Sequence, residues 1–87
     1  MMIPIYSLEQ LQSNGAKIHE VYSFPDTYYV ITYTAQNQLT SYWKIDKQTK
    51  KMTVSSWPEM IIETKGAVND DLYIYPKDKF LKEIGLV

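Results

Sequence analysis

A chain of 87 residues, 45% of them hydrophobic and 14% aromatic, suits one compact domain and carries too many apolar side chains for a disordered segment. The formal net charge of −1 supplies no global field to draw it onto nucleic acid or an anionic membrane, and all nine basic residues are lysines. The missing arginine disfavours base-specific DNA recognition, and the missing cysteine excludes disulfides, thiolate catalysis and Cys-based zinc sites.

The first ten residues, MMIPIYSLEQ, show neither a basic n-region nor an apolar run of signal-peptide length, and no later stretch could span a bilayer, so the expected location is cytoplasmic. Ser7 and Gln10 have capping-box spacing, with Tyr6 and Leu11 placed as a hydrophobic staple and Asn14-Gly15 as a stop. A short helix of about two turns is expected there, too short to stand without packing on something.

Strand signals follow. Residues 16–24, 27–35, 39–46 and 51–55 are rich in β-branched and aromatic residues and are separated by Pro25-Asp26, by Gln36-Asn37-Gln38 and by a lysine-rich turn. The expected fold is α+β, with the N-terminal helix packed on an antiparallel meander of about four strands in a single domain. Alternation puts Tyr29, Ile31 and Tyr33 on one side of the second strand and Leu39, Ser41, Trp43 and Ile45 on one side of the third. With Met52 and Val54 these are expected to form the core, leaving Tyr28, Val30, Thr32, Tyr42 and Lys44 facing the other way.

The last third is more ambiguous. Trp57-Pro58-Glu59 suits a helix entry and Gly66 an exit, while EMIIETK also reads as a strand, so residues 58–65 are left as either. Asn69-Asp70-Asp71 is expected to turn the chain, residues 72–75 to form a short strand, and residues 77–84 a helix stopped by Gly85.

The turn in WKIDKQTKK reads as a four-residue hairpin loop opened by Asp46 and braced by Thr49. Its left-handed position, usually glycine, is Lys50, so the turn must change form or tolerate strain. The helix, the strands and the segment carrying Asp46, Thr49 and Lys51 resemble a PepSY-type module, whose last hairpin commonly reads V-D-x-x-T-G-K. The likeness covers residues 7–54. It departs from the family at Lys50, which replaces the family glycine, and in lacking the export signal such domains usually follow. The resemblance implies a non-catalytic domain that binds or restrains another protein, such as a peptidase.

Catalytic signals are sparse. His19 is the single histidine and has no nucleophile at telling spacing. Asp70-Asp71 lacks the further oxygens a calcium site needs, and three glycines make no phosphate loop, so no cofactor or metal is expected. The expected function is that of a small non-enzymatic interaction protein, binding or inhibiting a partner protein with Tyr28, Tyr42, Lys44, Lys47, Lys50 and Lys51 as contacts. The alternative is weak single-stranded nucleic-acid binding by the hairpin at residues 44–51, disfavoured because Trp43 points away from the lysines. An exposed sheet edge could also pair two copies in a homodimer. Small size and lysine-only basic usage would suit a phage or mobile-element protein.

Overall fold

The computed structural model describes residues 15–36 and 38–84. The helix expected from residue 7, the turn residue Asn37 and the stop at Gly85 lie outside the described residues.

Four strands, β1 (Ala16–Ser23), β2 (Thr27–Thr34), β3 (Leu39–Asp46) and β4 (Met52–Ser55), form an antiparallel sheet in sequence order. Among the described residues the strands come first and the helices that cover them follow. Helix α1 (Trp57–Thr64) and helix α2 (Lys77–Glu83) lie on opposite faces of the sheet, which is therefore a middle layer with a core on each side.

This two-sided burial corrects the expected face assignment. In the β2–β3 register Val30 pairs with Trp43, Tyr28 with Ile45 and Ile31 with Tyr42. Directly paired residues share a face. Tyr28, Val30 and Thr32 therefore join Trp43 and Ile45, and Met52, Val21 and Phe80 of α2 complete that core. Tyr29 and Ile31 join Tyr42 and Lys44 on the other face, under Met60 of α1 and Val68. Strict alternation cannot select the buried face when helices cover both.

A bulge at His19 shifts the β1–β2 register between Ile18 and Glu20. It turns Ile18 and Val21 onto the α2 side together, while Glu20 and Tyr22, opposite Ile31 and Tyr29, face the α1 side.

Residues 57–64 are helical, and the reason is local. Ser56 caps the helix by accepting the Glu59 N–H at 3.2 Å, and Pro58 sits in the first turn, where its missing N–H costs nothing. The helix ends with Lys65 left-handed at φ 55° and Gly66 at φ 82°, whose N–H bonds Ile61 O at 2.9 Å.

The strand expected over residues 72–75 does not form. Asp70 accepts the Leu72 N–H at 3.0 Å and winds Asp71–Tyr73 into a 3-10 turn, leaving one bridge between Ile74 and Tyr22. Together with the Tyr75 N–H to Val21 O bond at 2.9 Å, that bridge covers part of the outer edge of β1. Helix α2 then begins after Pro76 and drives Phe80, fully buried, against Tyr28 with ring centroids 5.0 Å apart.

Candidate functional site: an aromatic cleft on the sheet

The residues expected as contacts do not form one surface. Tyr28 is only 4% exposed, and its hydroxyl donates to Glu83 of α2, which also accepts from Tyr75. It is a core residue on the face opposite Tyr42, so it is not available as an exposed contact.

The lysines divide in the same way. Lys44 Nζ bonds Glu63 Oε1 at 2.9 Å and Glu59 Oε1 at 3.2 Å, and the two carboxylates hold its ammonium above the ordinary lysine pKa. Glu63 also accepts the Tyr29 hydroxyl at 2.6 Å, and that bond, with Lys44, keeps its own carboxyl below the usual range. Lys47 lies 4.6 Å over the Tyr28 ring and donates to Ser23 Oγ at 2.9 Å. Of the four, Lys50 and Lys51 are exposed and Lys44 and Lys47 are half-buried.

The hairpin tip is built by its own side chains. The Asp46 carboxylate accepts the N–H groups of Gln48 at 2.8 Å and Thr49 at 3.0 Å, and Thr49 Oγ1 accepts the Lys51 N–H at 3.3 Å. Lys50 tolerates the left-handed position at φ 64°. Asp46, Thr49 and Lys51, the residues behind the family resemblance, therefore serve the turn in this chain.

A different site emerges on the α1 face, where the helix leaves the β1 end of the sheet uncovered. His19, Glu20, Tyr22, Ile31, Tyr33, Thr40, Tyr42 and Trp57 line an open cleft of about 390 Å³. Three strands and a helix contribute to it. The bulge at His19 delivers Glu20 to this side, and the β2–β3 register sets Tyr42 opposite Ile31. Trp57, placed by the Ser56 cap, tilts against Tyr42 with ring centroids 6.2 Å apart.

Among the described residues six phenols fall into two groups, and Tyr73, whose ring stacks on Phe24, belongs to neither. Those of Tyr28, Tyr29 and Tyr75 are tied to carboxylates. Among the described residues, the hydroxyls of Tyr22, Tyr33 and Tyr42 bond no other side chain or backbone group, and all three line the cleft. Burial, then the charges of Glu20 and Asp71, push the Tyr22 phenol above its usual pKa.

Of these residues Tyr42 is the one expected from the sequence as a contact. Tyr22, Tyr33 and Trp57 could not be assembled without the register. The one available signal was the three-residue spacing of Ile18 and Val21, which breaks the alternation of β1 where the bulge falls. Among the described residues no three histidine, aspartate or glutamate side chains gather as a metal site would require, and no helix is long and apolar enough to cross a membrane.

No protein-family model, curated protein or solved structure matches the chain.

Proposed function

We propose that this chain is a small non-enzymatic protein that acts by binding, and thereby restraining, a partner protein through the aromatic cleft around Tyr42. The observation that carries the reading is the gathering of Tyr22, Tyr33, Tyr42 and Trp57 about one opening, with three phenols unengaged, while the phenols of Tyr28, Tyr29 and Tyr75 are bound to carboxylates of the helices. Tyrosine and tryptophan give large contact area for few rotatable bonds, and an unpaired phenol can donate and accept across an interface. The resemblance to PepSY-type modules favours the same class of function, though not the same residues.

Single-stranded nucleic acid has less to hold. Lys44 and Lys47 are occupied within the protein, which leaves Lys50 and Lys51 at a tip with no aromatic platform beside them. The aromatic cleft carries Glu20, which repels phosphate.

The test is capture from lysate with wild-type protein, a Tyr33→Ala/Tyr42→Ala variant and a Lys50→Ser/Lys51→Ser variant, each with and without nuclease. A protein retained by the wild type and the lysine variant after nuclease, and lost by the cleft variant, supports the reading. Retention by the cleft variant with an unchanged melting temperature contradicts it.

A further inference from the structure

The chemistry of the cleft specifies what it takes. Tyr22, Tyr33, Tyr42 and Trp57 offer ring faces, which are the negative part of an aromatic quadrupole, and Glu20 is the one carboxylate among the lining residues. The three unpaired phenols add acceptor oxygens. Asp71 lies near enough to act on the Tyr22 hydroxyl, so a second carboxylate reinforces the potential at that end. No lysine lines the opening. Lys17, across the ladder from Tyr33, stands exposed beyond it. The ring faces, the phenol oxygens and the two carboxylates favour a cation and oppose an anion.

The size narrows the choice. About 390 Å³ is at the small end of ligand sites, and the cleft is open to solvent, which suits one long side chain entering from outside. A planar guanidinium can stack on a tyrosine or tryptophan face while its edge pairs with a carboxylate.

Taken together, the geometry points to the cleft as a receptor for a cationic side chain, arginine foremost, presented by the partner protein, with Glu20 as its counter-charge and the Tyr42–Trp57 pair as its stacking wall. This rests on the cleft being the partner surface and adds the partner's chemistry to it.

The probe is N-acetyl-arginine methylamide, with the neutral isostere N-acetyl-citrulline methylamide as control, titrated into the isotopically labelled protein and followed by the Trp57 indole and the Tyr42 and Glu20 amide resonances. The arginine derivative is expected to shift these resonances, with citrulline binding about tenfold more weakly. Glu20→Gln, isosteric and at a half-exposed position, should weaken the arginine derivative by up to about fivefold while leaving the dispersed spectrum of a folded protein intact. Equal binding of both compounds, no effect of Glu20→Gln, or no shift with either compound overturns the inference. Those failures leave the broader reading standing if Tyr33→Ala/Tyr42→Ala still abolishes partner capture, and both fall together if it does not.

Discussion

Tyr29 donates its phenolic hydrogen to Glu63 at 2.6 Å, joining the centre of β2 to the helix laid across it. The same carboxylate holds Lys44 of β3 at 2.9 Å, so one side chain of α1 fastens two adjacent strands. A hydrogen bond to a charged group contributes more than a neutral one, but Glu63 is partly solvated. Tyr29→Phe is therefore expected to cost about 1 kcal/mol and to lower the melting temperature by about 4–8 °C. A double-mutant cycle with Glu63→Gln, read by denaturant unfolding, should return most of that energy as coupling. Additive effects would show that the bond holds nothing.

The pH dependence of stability follows from the two tyrosine–carboxylate systems. Hydrogen bonds from Tyr29 and Lys44 depress Glu63, and those from Tyr28 and Tyr75 depress Glu83. Their contribution is full above the unfolded carboxyl pKa of about 4.3 and is lost as pH falls through the lower folded values. Burial first, and then the hydrogen bonds to the same carboxylates, raise the Tyr28 and Tyr29 phenols. That contribution is full below about pH 10 and is lost as pH rises through the higher folded values. Urea midpoints should form a plateau between these limits and fall on both sides. The double variant Glu63→Gln/Glu83→Gln should show a shallower acid limb.

Lys50 at φ 64° and Lys65 at φ 55° occupy backbone conformations that favour glycine. Neither position depends on the lysine side chain for a hydrogen bond. Lys50→Gly and Lys65→Gly are each expected to stabilise the protein by about 0.5–1 kcal/mol, after the greater entropy of glycine in the unfolded chain is set against the relieved strain. Urea midpoints should rise at constant m-value. A fall for either variant would mean that its lysine side chain makes a compensating contact.

Phe80 and Met60 test the two-sided core, since each is fully buried on its own face of the sheet. Phe80→Ala is expected to cost about 3–5 kcal/mol and Met60→Ala about 2–5 kcal/mol. A domain of this size has roughly 4–13 kcal/mol in total, so either variant should be markedly less stable at room temperature. A mild effect of Phe80→Ala would argue that α2 is only loosely applied to the sheet.

The strands were legible because their signals are local. Turn residues at Pro25-Asp26 and Asp46–Thr49, with β-branched and aromatic runs between them, place all four within a residue or so of where they lie. Which face each residue occupies was not legible. Tyr28 and Tyr29 are both buried, and a strand covered by helices on both sides has no polar face to set the phase. The LYIY segment has strand composition, yet the single Asp70 side-chain cap directs it into a 3-10 turn. The cleft was the least legible feature, because it depends on cross-strand register and on a bulge that moves Glu20 from one face to the other.

A partner that docks on the cleft around Tyr42 must change the environment of the residues that line it. The most direct measurement is the backbone and indole NMR spectrum of labelled protein, recorded as the captured partner is added. The Trp57 indole and the amides of Glu20, Tyr33 and Tyr42 are expected to shift or broaden first, while those of Lys50 and Lys51 hold their positions. Changes centred on Lys50 and Lys51, with the cleft resonances unmoved, would contradict it.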